Sequence, residues 1–301
     1  MTNEKRKEAI GAYRARKDSF DWNGLMDYAN SLLECRDRIQ ETVKPVALDE
    51  EVAAKAIKEK VPYLSLKPVQ IIPSEFRGHL NELVKEFLQQ GIIHDEHNKS
   101  LLRSVDLSKL TDKTVELAGE DPNQFFLEAV NELQGEEKNE LLQMILAGLL
   151  INAVRVYLSS LGVQMTEFVG HPGDLKVSDQ PMTCPTCGQP PTLASLGNEG
   201  NIAGNSRKLF CACCGTVWPF ERVRCAYCGT RNTNKLKYVH SDGDPVHRLY
   251  VCEKCGGVLP TVFQEQLGDK IDYDVEQTAC GVIQSLYHEE FSKDLEEEEL
   301  K

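Results

Sequence analysis

Eight of the eleven cysteines form four C-x-x-C pairs, and glycine follows each pair directly. The pairs are Cys184 and Cys187 before Gly188, Cys211 and Cys214 before Gly215, Cys225 and Cys228 before Gly229, and Cys252 and Cys255 before Gly256. Their spacing repeats: C-x2-C-x23-C-x2-C occurs twice, and the second unit begins 41 residues after the first. Two cysteines three positions apart can turn both sulfurs toward one ion when the backbone folds into a tight knuckle. A glycine directly after them accepts positive φ without steric cost and lets amide N–H groups approach a sulfur. Two knuckles supply the four ligands of a tetrahedral site, which Zn2+ accepts at about 2.3 Å per Zn–S bond. Iron occupies the same tetrathiolate cage. The sequence thus predicts two metal ions, iron or zinc, on Cys184, Cys187, Cys211, Cys214, Cys225, Cys228, Cys252 and Cys255.

Sequential pairing of the knuckles follows the repeat, and a cross-braced arrangement is its rival. In the crowded second knuckle the x2 spacing and Gly215 assign Cys211 and Cys214, which leaves Cys213 spare. Cys213, Cys35 and Cys280 are expected to be small packed side chains. Redox chemistry of the thioredoxin type would call for an isolated C-x-x-C beside a βαβ unit. Four pairs in a regular array point instead to structural sites, whose metal contributes folding free energy directly.

Elsewhere the sequence offers no catalytic set. His94 and His97 flank Asp95 and Glu96, a combination better read as a polar loop after Gly91 than as a metal site. His240 and His247, with Asp242 and Asp244 nearby, are read as flanking a hairpin turn around Gly243. No nucleophile-elbow, Walker or dinucleotide-binding glycine signature appears, so neither an enzyme nor an organic cofactor is expected. A formal charge of −13 disfavours a general nucleic-acid binder, because such affinity comes from Lys and Arg displacing counterions. Residues 184–261 hold nine Lys and Arg against five Asp and Glu, a surplus that eight thiolates and two divalent ions would cancel. Arg222 and Arg224 can form a small adhesive patch with Trp218, or pack along the strands and neutralise thiolates; the second reading is favoured.

The elements that must position these knuckles differ on either side of them. Up to residue 183 Cys35 is the lone cysteine, and the pattern there is helical. Phe76, Leu80, Leu83, Val84, Phe87 and Leu88 recur at spacings of three and four, with Ser74 as N-cap and Gly91 as C-cap. Similar patterns occupy 25–39, 49–57, 123–133 and 136–161, punctuated by Pro45, Pro62, Pro68 and Pro73. Residues 162–183 show no helical period and read as a linker. Short strands are expected at 207–210, 216–220 and 248–251. A last helix should place Val275, Ala279, Ile283 and Leu286 on one face, before an acidic tail.

Gln143, Asn152 and Arg155 interrupt the longest apolar stretch, 141–161. Its most apolar core is far short of the roughly 20 residues that a bilayer needs. It is read as a buried core helix, with no membrane insertion. No apolar segment of a secretory signal follows the basic residues 1–17. Eleven cysteines without an export signal point to a reducing compartment and a cytoplasmic protein. The sequence leaves self-association open.

The segments TCPTCGQPP, LFCACCGTVWPFERVRCAYCG and RLYVCEKCGG resemble the formate dehydrogenase accessory protein family (FdhE). The resemblance rests on the order of the knuckles, the stretch from Trp218 to Arg224 and the glycine endings. It covers residues 183–257. After the fourth knuckle, Val258, Leu259 and Pro260 depart from the family pattern. The resemblance implies an α+β fold: an all-α N-terminal domain, then two tandem rubredoxin-like or zinc-ribbon metal modules and a C-terminal helix. The expected division is a helical domain over 1–165, a linker over 166–183, metal modules over 184–224 and 225–263, and a helix with acidic tail over 264–301. The resemblance further implies iron on the eight cysteines and a maturation chaperone that binds the immature catalytic subunit of a formate dehydrogenase. The rivals are a zinc-ribbon nucleic-acid adaptor, a rubredoxin-like electron-transfer or redox-sensing protein, and a sulfur or metal carrier using Cys213.

Overall fold

A computed structural model describes residues 2–16, 20–90, 96–134, 139–170, 180–197, 206–240, 244–263 and 271–285. The first part is helical: α1 Thr2–Arg14, α2 Trp22–Gln40, α3 Glu50–Glu59, α4 Tyr63–Leu66, α5 Pro73–Gln89, α6 Glu96–Arg103, α7 Asp112–Glu120, α8 Pro122–Gln134 and α9 Glu140–Val169. Short polar side chains start several of them. Asp49 accepts from the Val52 N–H, Thr111 from that of Thr114 and Asn139 from that of Leu142, each satisfying an N–H with no partner inside its helix. α5 departs from expectation, because it begins at Pro73 with Ile72 as N-cap rather than Ser74. Proline suits the first helical position, where its missing N–H costs nothing. The expected cap Gly91, and His94, lie outside the described residues; His97 sits in α6 rather than in a loop.

α9 is the axis of the helical part. At 30 residues it is about 45 Å long, and by length and composition alone it could cross a membrane. Over half of its most apolar stretch is instead buried, and the helix packs against α2, α5, α7 and α8 on the helical side and against the sheet on the other. Phe76 of α5, Phe125 of α8 and Tyr157 of α9 pack ring on ring at its middle.

Six strands follow: β1 Leu193–Gly197, β2 Ser206–Phe210, β3 Val217–Phe220, β4 Leu236–Val239, β5 His247–Cys252 and β6 Val258–Phe263. Each group of three pairs antiparallel, with β2 at the centre of the first group and β5 at the centre of the second. Parallel pairing of β1 with β6, in the register Ala194 to Thr261, joins them into one sheet of order β3-β2-β1-β6-β5-β4. The two cysteine repeats thus share a hydrogen-bonded sheet. β1 is buried along its whole length: Ala194, together with Leu209 and Trp218, joins the core around α9. On the other side Leu193, Phe210 and Val262 pack with Tyr273 and Cys280 of a last helix, α10, over 273–285. The expected apolar face of that helix is present, with Val275, Ala279 and Ile283 all buried; Leu286 lies outside the described residues.

The expectation for 162–169 is corrected, since this segment is the last two turns of α9. Leu161, Met165 and Val169 continue the buried face at spacings of four, and Gly162 masks that period in the sequence. This glycine is there for proximity: a Cβ on it would overlap the Cys214 carbonyl oxygen. Gly162→Ala should therefore push α9 off the second knuckle and cost about 1–3 kcal/mol. At Gly148, in the same helix, an added methyl would meet nothing within 4 Å, so Gly148→Ala should stabilise by about 0.5–1 kcal/mol. Chemical denaturation midpoints of the two variants check the opposite signs.

Candidate metal centres

Each cysteine pair occupies the same backbone turn. The glycine N–H donates to the carbonyl of the first cysteine of its pair, Gly188 to Cys184 at 2.9 Å, Gly215 to Cys211 at 2.8 Å, Gly229 to Cys225 at 3.1 Å and Gly256 to Cys252 at 2.8 Å. All four glycines have positive φ, between 71° and 81°, which glycine alone adopts without strain. The first cysteine of each pair closes the loop by donating its own N–H onward, as Cys184 does to the Gln189 carbonyl and Cys225 to that of Thr230.

These turns bring the sulfurs together in two sets, Cys184 with Cys187, Cys211 and Cys214, and Cys225 with Cys228, Cys252 and Cys255. Pairing is sequential, the first knuckle with the second and the third with the fourth. The sheet produces it: one knuckle of each set precedes the first strand of its group, and the other lies in the turn between the second and third. In the second set Cys225 and Cys255 Sγ are 3.8 Å apart and Cys228 and Cys252 Sγ 3.7 Å. Thiolates about 2.3 Å from a tetrahedral ion stand about 3.8 Å from one another, so this set fits a metal as it stands. In the first set the separations are 3.3 and 3.5 Å, a few tenths tighter. Cys213 is buried outside both sets, and Cys35 and Cys280 are buried too.

The sets differ in access. All four cysteines of the first are buried, whereas Cys255 is exposed and Cys228 half-buried in the second. Burial pushes the Cys187 and Cys211 thiols well above the usual thiol range. The Thr230 backbone N–H brings Cys228 down to about 7. Each set thus holds thiols moved both ways: hydrogen bonds from Cys184 and Cys187 outweigh burial and hold Cys214 well below the usual thiol range, while the neighbouring thiols push Cys255 up to about 12.

Arg155, one of the residues that interrupt the long apolar stretch, reaches from α9 to the first set. Its Nη1 donates to the carbonyls of Cys211 at 3.1 Å and Ala212 at 3.0 Å. Its Nη2 lies 3.4 Å from Asp274 Oδ2, and Arg36 of α2 holds that same oxygen at 2.7 Å. Burial alone would raise the Asp274 carboxyl; the guanidinium groups of Arg155 and Arg36 overcome it and hold it well below the usual range. Asp274 therefore contributes stability that is fully present above about pH 4 and is lost as the pH falls through its lowered value. Trp218 is fully buried and donates its Nε1–H to the Pro181 carbonyl at 2.9 Å, so no surface patch forms with Arg222 and Arg224. Arg224 instead stacks on Phe220.

Where the sequence suggests no more than a turn, the structure holds a buried polar cluster. His247 of β5 receives Asp244 at its Nδ1, 2.9 Å away, and meets Glu276 Oε2 at 3.1 Å and the Tyr13 hydroxyl at 2.8 Å from its Nε2. Tyr13 donates to Glu276 Oε2 at 2.6 Å, and Arg16 reaches Asp244 at 3.2 Å. Burial works against the imidazolium, but the two carboxylates outweigh it and raise His247. Burial likewise opposes the Asp244 charge, yet His247 and Arg16 bring that carboxyl down to about 2. The D-x-x-H spacing is visible in the sequence; Tyr13 and Glu276 join it only through the fold.

Among known proteins, no family model matches the chain. Over 97 residues it is 33% identical to the protein named FdhE homolog of Stutzerimonas stutzeri, a match covering 32% of this chain and 31% of that one. The FdhE homolog of Pseudomonas aeruginosa is 30% identical over 86 residues, covering 27% and 28%. The matches thus span about a third of the length of these curated relatives. The crystal structure of the FdhE protein from Pseudomonas aeruginosa superposes with a TM-score of 0.58 at 16% identity, over 95% of this chain and 90% of that one. Its likeness is one of fold.

Arg155→Met should cost about 3–5 kcal/mol, because it leaves a buried carboxylate and two carbonyls under-satisfied. In a double-mutant cycle with Asp274→Asn, denaturation should show a coupling of about 1–3 kcal/mol. Additive losses would mean that the two side chains do not act on one another.

Proposed function

We propose that this chain, similar over about a third of its length to FdhE homologs and like an FdhE protein in fold, is a member of the FdhE family and a maturation chaperone of a formate dehydrogenase. In this reading it binds the immature catalytic subunit in the cytoplasm, where its thiols stay reduced. Cys184, Cys187, Cys211 and Cys214 hold one metal ion; Cys225, Cys228, Cys252 and Cys255 hold the other. Each ion, when bound, draws two knuckles together through four thiolate bonds. Iron is the ion that the family resemblance favours, and zinc suits the same donors.

The observation that carries this reading is the placement of the two sulfur sets. Both lie at turns of a single sheet that is continuous through its core with the helical part. Metal at such turns fixes the relative position of strands and helices, and so the shape of any surface offered to a partner. The chain's own residues do the rest. Arg155 ties the first set to α9 and α10, and Tyr227 donates its hydroxyl to the carbonyls of Pro191 and Val258, on β1's approach and on β6. A second reading, electron transfer through rubredoxin-like iron, draws on the exposure of Cys255. It requires a reversible one-electron potential at the second set.

Full-length protein purified without added metal should carry about two ions per chain on those eight thiolates. A chelator should remove one ion quickly, from the set containing exposed Cys255, and the other only as the fold is lost. Cys255→Ser should abolish the fast phase alone, by elemental analysis and stopped-flow absorbance. Co-purification with the unassembled catalytic subunit tests the partner, and a folded, metal-loaded protein that fails to retain it would sink the chaperone assignment. Cysteine variants that keep fold, metal and partner binding yet lose maturation would show that the thiols do chemistry rather than hold shape.

A further inference from the structure

We propose that His247, Glu276 and Cys280, with the Tyr13 hydroxyl, form a third metal site, of the zinc class, distinct from the eight paired cysteines. One donor atom from each of His247, Glu276 and Cys280 lies within 4.8 Å of the other two, and all three residues are buried. They supply a nitrogen, an oxygen and a sulfur, the mixture that Zn2+ accepts and that oxygen-seeking Mg2+ and Ca2+ do not. The proposal does not depend on the chaperone reading.

The imidazole is oriented as in a metal site. Its Nε2 faces Glu276 and Tyr13, while Nδ1 is fixed by the Asp244 carboxylate at 2.9 Å. A carboxylate behind the non-coordinating nitrogen is the usual outer partner of a zinc-bound histidine: it sets the tautomer and strengthens the ligand. Asp244 is itself anchored by Arg16 at 3.2 Å and by the backbone N–H groups of Val246 and His247. The distances are close to what ligation needs. Nitrogen and oxygen ligands at about 2.1 Å from a tetrahedral ion lie about 3.4 Å apart. The separations among Tyr13, Glu276 and His247 are 2.6 to 3.1 Å, so a modest outward shift of the side chains admits the ion. Zn2+ with one thiolate and two carboxylates, beside the Arg16 guanidinium, leaves the pocket electrically neutral, which a buried site requires.

The ion would join parts of the chain that only the fold brings together: α1 through Tyr13, β5 through His247 and α10 through Glu276 and Cys280. It would fasten the first helix and the last onto the strand that leads into the fourth knuckle.

The test is zinc alone on the full-length protein. Crystals grown with zinc should show anomalous difference density at the zinc edge between His247 Nε2, Glu276 and Cys280 Sγ, as well as at the two cysteine sets. In solution, equilibrium dialysis should give about three zinc ions per chain, falling to about two in His247→Gln and in Cys280→Ser. Occupied cysteine sets with no third peak would overturn the proposal whatever the variants do. A third equivalent that survives both substitutions would overturn it too, by placing that ion elsewhere.

Discussion

The guanidinium of Arg155 is the contact on which the rest of this structure turns. It projects from the middle of the long core helix, 10% exposed, and a buried cation is stable only where its hydrogen bonds and countercharge are supplied. Two carbonyls of the second knuckle and the Asp274 carboxylate supply them. In meeting that need, Arg155 brings together the core helix, the first sulfur set and the last helix. Arg36 adds α2 to the same carboxylate. Gly162, two turns further along α9, lets the helix backbone come close enough for these bonds to form.

From that junction the sheet carries order to the second sulfur set. Parallel pairs cannot be joined by a tight turn and need a long connection. Between β1 and β6 that connection runs over residues 198–257 and carries β2 to β5 with the second, third and fourth knuckles. The parallel pair is thus the seam at which two copies of one motif become one sheet. It places the first set against the helical core and leaves the second toward the open end, where Cys255 meets solvent. Two sequence repeats with the same spacing thereby acquire different access to solvent. Near-identical knuckles fold alike locally, and the difference lies wholly in what packs on them.

The Tyr13, His247 and Glu276 cluster is a second junction, joining α1, β5 and α10. Trp22 packs beside Tyr13, and Val275, Ala279 and Ile283 of α10 complete the apolar surround. Charged side chains in such a setting must answer one another, and the 2.6 to 3.1 Å spacing among them shows that they do. α1 and α10, at opposite ends of the chain, thus both bear on the strand that enters the fourth knuckle.

What the sequence determined by itself was the local chemistry. Cysteine at x2 spacing with glycine behind it dictates the knuckle, because a positive φ and a reach of two sulfurs to one point are properties of a few adjacent residues. Apolar positions three and four apart determined α2, α3, α5, α8 and α10 for the same reason. β1 and β6 were not legible: LASLG and VLPTVF carry small residues or a proline, and what makes them strands is their place between neighbours at the centre of the sheet. The close of α9 was hidden because Gly162 reads as a helix breaker unless the backbone packed against it is known. Trp218 could have joined a surface patch or packed along the strands, and the core that closes over it settles the choice for the favoured packing. Only tertiary structure could decide which knuckles share a sulfur set, which set faces solvent, and that Tyr13 and Glu276 would meet His247. Each of these depends on contacts between residues far apart in the chain, and no local pattern encodes them.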